Sequence, residues 1–177
     1  MDLLRKTLTD IKNDFPNGKV TLRLFIANYL YSPRFRVLLN HRLGKYFYRS
    51  NYFIFRQIGI RYKTQLIVKR NCYISYNADI GKNLRMPHPI GIVIGDGVVI
   101  KDNVMVFQQV TFGSHGKKDE KMQYPIIESG VRIYAGAKII GGVKIGENAV
   151  VGANSVVNID VPANTTAVGI PCKILYK

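Results

Sequence analysis

The sequence predicts a mainly β protein, a solenoid of hexapeptide repeats preceded by an α-helical segment. Two observations support this: an apolar residue returns every six positions from residue 74 onward, and residues 1–50 carry apolar residues at helical spacing. The 177 residues, 47% hydrophobic and 21% charged, suit one packed domain with an appendage and exclude a disordered tail or a large multidomain enzyme. We therefore divide the chain into a helical segment, residues 1–70, and a repeat segment, residues 71–177.

Helices are expected throughout the first fifty residues. One helix should cover residues 3–15 and end at the turn-forming residues 16–18, and a second carries an apolar stripe within residues 22–30. A third begins at Ser32 and Pro33, an N-cap residue followed by a proline suited to the first helical turn.

The helical segment is also strongly basic and aromatic. Residues 1–70 hold 15 basic and 3 acidic residues, so they carry +12 of the total net charge of +15. An anionic membrane surface, an acidic polymer or a phosphate-bearing ligand is therefore a candidate neighbour. The simpler alternative is a solvated basic face over an aromatic core.

The repeat segment follows a six-residue period. Three such hexads close one triangular coil, which gives about four and a half coils, and the lead residue of each hexad should point toward the axis. A glycine that follows the lead residue, as at Gly81 and Gly146, is expected to permit a positive φ at the turn. Residues 114–126 break the period and should form a loop that leaves the solenoid. The lead positions are all apolar: Ile74, Ile80, Met86, Ile94, Ile100, Val106, Phe112, Ile127, Ile133, Ile139, Ile145, Val151 and Val157.

Several classes of protein are disfavoured. The longest apolar stretch, residues 52–60, is interrupted by Arg56 and Gln57 and is too short to span a membrane. The N-terminus lacks the apolar region of a secretory signal, so we expect a cytoplasmic protein. Cys72 and Cys172 have no CxxC spacing, which argues against a disulfide framework or a zinc site. No RNA- or DNA-binding motif accompanies the basic charge, so we expect no nucleic-acid partner.

Four motifs in order resemble those of the hexapeptide-repeat acyltransferases, in their serine acetyltransferase-like branch. They are HPIGIVIGDGVVI (88–100), QVTFGSHGKK (109–118), AGAKIIGGVKIGENAVVGANSVV (135–157) and VPANTTAVGIPCKI (161–174). The resemblance implies a left-handed parallel β-helix that forms a homotrimer. It also implies acetyl-CoA as co-substrate in a groove between neighbouring subunits, with no metal.

The resemblance makes His88 the catalytic histidine. Acetyl transfer to a hydroxyl needs a base, and histidine is suited because its pKa lies near the working pH. His41 is expected to be structural, and His115, in the loop, to be solvated or in contact with CoA. Either Asp96 or a backbone carbonyl could orient the second ring nitrogen of His88.

The resemblance also implies residues that contact acetyl-CoA. Lysines would balance the charge of its phosphates, although they could equally be solvated. Small residues at the corners would let the pantetheine arm approach the backbone, although they could simply be turn residues. The residues expected to contact the co-substrate are Gly113, Lys117, Lys118, Ala135, Gly136, Gly152, Ala153 and Lys173.

The chain departs from the serine acetyltransferase pattern at four positions. Tyr73 and Ser75 replace an aspartate and a histidine, Pro87 replaces an aspartate, and Tyr124 replaces a histidine. In these features the chain looks more similar to the colanic acid and capsular polysaccharide acetyltransferases. We therefore expect a saccharide acceptor in polysaccharide biosynthesis, bound by Tyr73, Asp96 and Tyr124, with the basic segment holding the enzyme near anionic glycan or an anionic membrane surface.

Other functions stay open at this point. The enzymatic alternative is an L-serine O-acetyltransferase, and the non-enzymatic alternative is a β-helix scaffold. A γ-class carbonic anhydrase, which shares the fold, needs three histidines on one metal. Only His88 and His115 fall in the repeat segment, so that function is disfavoured.

Overall fold

The computed structural model describes residues 3–15, 18–116 and 123–176. Its helices are α1 (Leu3–Asn13), α2 (Leu22–Tyr31), α3 (Pro33–Tyr48) and α4 (Phe53–Arg70). Helix α3 begins as predicted, because the Ser32 hydroxyl accepts a hydrogen bond from the Phe35 N–H at 3.2 Å. None of the described helices is long and apolar enough to cross a membrane.

Short strands follow and stack into a triangular parallel β-helix. They are β1 (Tyr73–Ile74), β2 (Asp79–Ile80), β3 (Val93–Ile94), β4 (Val99–Ile100), β5 (Met105–Val106), β6 (Thr111–Gly113), β7 (Ile126–Ile127), β8 (Arg132–Ile133), β9 (Lys138–Ile140), β10 (Lys144–Ile145), β11 (Val150–Val151), β12 (Val156–Val157), β13 (Thr166–Val168) and β14 (Lys173–Leu175). The three sheets have the strand orders β1-β3-β6-β9-β12, β10-β7-β4-β2 and β14-β13-β11-β8-β5. All these pairs are parallel except β13 with β14, an antiparallel pair at the C-terminal end that the repeat pattern did not predict.

The register shows where the coil carries extra residues. Val93 pairs with Thr111 and Lys138 with Val156, both 18 residues apart, which is three hexads. Tyr73 pairs with Val93, 20 residues on, so two extra residues precede β3. Thr111 pairs with Lys138, 27 residues on, so the predicted loop adds nine. All thirteen predicted lead residues are nevertheless buried in one core.

The glycines after the lead residues are needed for the close packing of neighbouring coils and not for a positive φ. Neither Gly81 nor Gly146 is among the residues with positive φ; several corners instead use asparagines, such as Asn103 and Asn148. A Cβ at Gly146 would lie 2.4 Å from the backbone nitrogen of Ala163 on the next coil. The expected role of these glycines is therefore wrong, because the missing Cβ makes room for the neighbouring coil.

The helical segment packs onto the first coil. Val37, Leu38 and Leu66 belong to the same buried cluster as the lead residues. The Tyr76 hydroxyl of the first coil donates a hydrogen bond to the Gly59 carbonyl of α4 at 2.8 Å. The exposed first edge of the β-helix is thus partly covered by α3 and α4.

Helix α2 confirms the helix predicted from the apolar stripe within residues 22–30. None of its residues is buried, and Leu22 and Leu30 of the stripe are exposed. Among the ring contacts of the described residues, Phe25 is the member of α2 that takes part, with Phe15 at 6.2 Å and Phe35 at 5.6 Å between centroids. The apolar stripe is therefore only partly covered by the rest of the described chain.

A buried ionic cluster ties α1 to α3 and the first coil. The Arg42 guanidinium lies 3.5 Å from Asp14 and 3.4 Å from Asp10, and it donates hydrogen bonds to the carbonyls of Ile80 and Gly81. Burial raises the pKa of Asp14 to about 6, even though Arg42 acts in the opposite direction.

Candidate active site

His88 lies in the turn that holds the two extra residues before β3. The Gly91 N–H donates a hydrogen bond to the Asn71 carbonyl at 2.7 Å, and the Cys72 thiol donates to the Pro89 carbonyl at 3.1 Å. These bonds fix the turn against the C-terminal end of α4. The His88 side chain is exposed at the surface of this fixed turn.

A cleft opens beside His88, between the two segments of the chain. It has a volume of about 280 Å³ and is lined by α3, the end of α4 and the turn 87–90. Its charged lining residues are Arg36, Lys69 and Arg70. These three residues were not singled out from the sequence. Arg36 is more than 30 positions away from Lys69 and Arg70, and all three counted only toward the basic charge of the helical segment.

Two sets of predicted residues lie at two different corners of the triangle. We call the corner before the sheet β1-β3-β6-β9-β12 the leading corner, and the corner after it the trailing corner. The leading corner stacks the turns 87–91, 107–110, 134–137 and 152–155 through hydrogen bonds from Gln109 to Ile90, Gly136 to Gln108 and Asn154 to Ala135. His88 therefore shares a corner with Ala135, Gly136, Gly152 and Ala153.

The trailing corner holds the expected acceptor-binding residues. Asp96 follows β3 and accepts a hydrogen bond from the Ser75 hydroxyl. The ring of Tyr124 packs on the same turn, since a Cβ at Gly97 would lie 2.4 Å from its Cδ2. Asp96 and His88 are at opposite ends of β3, so one chain does not bring them together.

The remaining predicted residues are dispersed. Gly113 ends β6 at the trailing corner, and Lys173 begins β14 with its side chain exposed. Tyr73, in β1, lies with its ring 5.0 Å from the Lys63 ammonium. Lys117 and Lys118 lie outside the described residues, and no group of three or more His, Cys, Asp or Glu in the described part of the chain could hold a metal ion.

His41 is separate from this site. It is fully buried in α3, with its ring centroid 5.6 Å from that of Tyr76. Burial, together with the neighbouring Arg42, holds the pKa of His41 well below its usual range, so the ring is neutral.

Comparison with known proteins identifies the family. The family described as "Bacterial transferase hexapeptide (six repeats)" matches residues 124–158. A serine acetyltransferase of Buchnera aphidicola subsp. Schizaphis graminum is 34% identical over 178 residues, which cover all of this chain and 66% of the relative. The structure "Soybean Serine Acetyltransferase Complexed with Serine" is 33% identical, with a TM-score of 0.78, over 98% of this chain and 69% of that one. The chain belongs to the hexapeptide-repeat acyltransferases.

A further solved structure was determined in complex with CoA. "Serine Acetyltransferase- Complex with CoA" is 30% identical, with a TM-score of 0.76, over 98% of this chain and 69% of that chain. The predicted fold of this chain, a left-handed parallel β-helix of hexapeptide repeats with N-terminal helices, is confirmed. The chain spans 66% of the length of the Buchnera relative and about half of several other curated relatives.

The expected saccharide acceptor is wrong, and so is the expected role in polysaccharide biosynthesis. The relatives and structures point to serine acetyltransferases and not to the colanic acid or capsular polysaccharide enzymes. That expectation required aromatic rings open to a sugar. The Tyr124 ring packs on the Gly97 turn, and Tyr73 is engaged by Lys63. The roles of individual residues in this chain stay predictions.

Proposed function

We propose that the protein is an acetyl-CoA-dependent O-acetyltransferase whose acceptor is the hydroxyl group of L-serine. The observation that carries this proposal is the similarity of 98% of the chain to a serine acetyltransferase solved with serine. The similarity to a serine acetyltransferase solved with CoA supports acetyl-CoA as the donor. We expect the enzyme to act in the cytoplasm.

In this proposal His88 is the general base. Its imidazole removes the proton from the acceptor hydroxyl as the oxygen attacks the carbonyl carbon of the thioester. The new C–O bond forms, the C–S bond breaks, and the proton passes from His88 to the departing thiolate. The exposed position of His88 on a turn that is fixed by backbone hydrogen bonds supports this role.

The leading corner is the proposed path for acetyl-CoA. Ala135, Gly136, Gly152 and Ala153 lie on turns stacked above the His88 turn, and their small side chains leave the backbone accessible to the pantetheine arm. Lys173, and Lys117 and Lys118 of the loop, would balance the charge of the phosphates.

We further propose that the protein acts as a homotrimer. His88 lies at the leading corner, whereas Gly113, Asp96 and Tyr124 lie at the trailing corner. A second copy of the chain could place its trailing corner against the leading corner of the first and complete one site from both sets. Sedimentation equilibrium should therefore give three times the chain mass of 20.0 kDa. A monomer with full activity would refute this assembly.

The test of the activity is acetyl-CoA turnover with L-serine, followed as release of free thiol. The wild type should acetylate L-serine, and His88→Ala should lower kcat by about 10²-fold to 10⁴-fold while acetyl-CoA still binds. Lys101→Ala, a change of an exposed residue outside the site, is the matched control and should keep wild-type turnover. Turnover of His88→Ala near the wild-type rate would exclude His88 as the base. Acetylation of other hydroxyl compounds but not of L-serine would exclude the proposed acceptor.

A further inference from the structure

The cleft beside His88 concentrates positive charge. Arg36 contributes from α3, and Lys69 and Arg70 contribute from the last turn of α4. No acidic residue is among those that line the cleft in the described part of the chain. Like charges held this close repel each other, so an anion bound between them would lower the electrostatic energy of the folded protein.

The two arginines have donors that are not used within the protein. The Nε atoms of Arg36 and Arg70 are buried, and neither has a hydrogen-bond acceptor among the residues that the structure describes. Buried donors of this kind normally find a partner. The planar guanidinium group matches the geometry of a carboxylate or phosphate group, which can accept two parallel hydrogen bonds.

Helix capping does not account for Arg70. Backbone hydrogen bonds already close the C-terminal end of α4, because the Asn71 N–H donates to the Ile67 carbonyl at 3.0 Å and the Cys72 N–H donates to the Leu66 carbonyl at 3.1 Å. The Arg70 side chain is therefore not needed to cap this end of the helix. Arg70 lines the cleft, and its Nε donor has no acceptor in the described part of the chain.

The walls of the cleft are held in place before any ligand binds. The hydrogen bonds from Gly91 to Asn71 and from Cys72 to Pro89 connect the His88 turn to the end of α4. Val37, next to Arg36 on α3, is buried in the core that continues into the first coil. A preformed site loses little entropy on binding.

We propose that this cleft binds a small oxyanion and that, in the proposed reaction, the anion is the carboxylate group of the amino-acid acceptor. The proposal rests on the proposed function for its choice of ligand. A volume of about 280 Å³ suits an amino acid, whereas the co-substrate is much larger. Binding the carboxylate at Arg36 and Arg70 would keep the acceptor next to His88, since all three residues line the same cleft.

The kinetic test compares L-serine with L-serine methyl ester, which lacks the charged carboxylate. In Arg36→Gln and in Arg70→Gln the KM for L-serine should rise about 10-fold to 100-fold, the range expected for one lost charged hydrogen bond. The KM for the ester and for acetyl-CoA should stay within about twofold. Arg61→Gln removes the same charge from an exposed position on α4 and is the matched control.

A second variant avoids any effect on folding. Arg36 and Arg70 are half-buried, whereas the Lys69 side chain is exposed, so Lys69→Gln removes charge from the cleft without changing the packing. It should raise the KM for L-serine about threefold. Thermal unfolding gives a readout without turnover: acetate at constant ionic strength should raise the Tm of the wild type and not that of Arg36→Gln.

The outcomes separate this inference from the proposed function. If L-serine is a substrate but the arginine variants keep its KM, the inference is wrong and the function stands. If their KM for acetyl-CoA rises instead, the cleft binds a phosphate of the co-substrate and the carboxylate assignment is wrong. If L-serine is not acetylated, the proposed function fails, and an acetate-dependent Tm that is lost in Arg36→Gln still supports the anion site.

Discussion

The crossing of α3 and α4 should not tolerate a side chain at Gly59. A Cβ built there would lie 2.5 Å from the backbone nitrogen of Tyr48 and 2.6 Å from its Cα. Carbon atoms in normal contact are about 3.5–4.0 Å apart, so Gly59→Ala would require the two helices to separate by about 1 Å. Because the obstructing atoms belong to the backbone, no side-chain rotation can relieve the clash.

The expected net loss in the free energy of unfolding is about 1–2 kcal/mol. Overpacking costs about 1–3 kcal/mol, and a clash with backbone atoms belongs in the upper part of that range, about 2–3 kcal/mol; the better helix propensity of alanine offsets about 1 kcal/mol. For a chain of this length that loss lowers Tm by about 2–8 °C. The shift of α4 should also strain the hydrogen bond from Tyr76 to the Gly59 carbonyl.

Thermal and urea unfolding followed by circular dichroism measure this effect. Gln57→Ala, on an exposed position two residues earlier in α4, is the control and should change stability by less than about 0.5 kcal/mol. If Gly59→Ala is as stable as the wild type or more stable, the helices do not cross as closely as the structure indicates.

Three further predictions concern the core, the ionic cluster and the trailing corner. Phe112→Ala, at a fully buried lead position, should lower the free energy of unfolding by about 3–5 kcal/mol in urea titrations. The pKa of Asp14 is raised to about 6 in the folded state, so its contribution is present at low pH and is lost as the pH rises from about 4 to 6. The stability of the wild type relative to Asp14→Asn should therefore fall by at most about 3 kcal/mol over that range, whereas a constant difference would contradict the raised pKa. Gly97→Ala should cost about 1–3 kcal/mol because its Cβ meets the Tyr124 ring, and the cost should disappear in a Tyr124→Ala background.

The repeat pattern predicted the β-helix because one physical requirement recurs in every hexad. Each lead residue fills the axis of a narrow coil, so residues such as Ile94 and Phe112 had to be apolar, and both are fully buried. The start of α3 was predictable for a similar reason, since Ser32 and Pro33 act locally. Interactions between residues that are close in sequence, or that recur at a fixed period, can be recognised from the sequence.

Contacts between distant segments could not be recognised from the sequence in this way. The cleft brings Arg36 together with Arg70 and His88, and nothing in the spacing of these residues indicates that they meet. The same applies to Ser75 and Asp96, whose hydrogen bond joins two successive coils. The acceptor was mispredicted because it was inferred from side chains of the serine acetyltransferase pattern that this chain lacks. Their absence does not show which other residues bind the acceptor in their place.

The stacked strands keep their register although the number of residues that connects them differs from coil to coil. Val93 follows Tyr73 by 20 positions and Lys138 follows Thr111 by 27, yet both pairs are in register. Extra residues at a corner therefore leave the register of the strands unchanged, and lengthening such a loop costs little free energy because closure entropy grows slowly with length. The exposed turn at Glu147 and Asn148 is a corner without an insertion. It is therefore a position at which an epitope or a recognition peptide could be introduced while every buried hexad keeps its place.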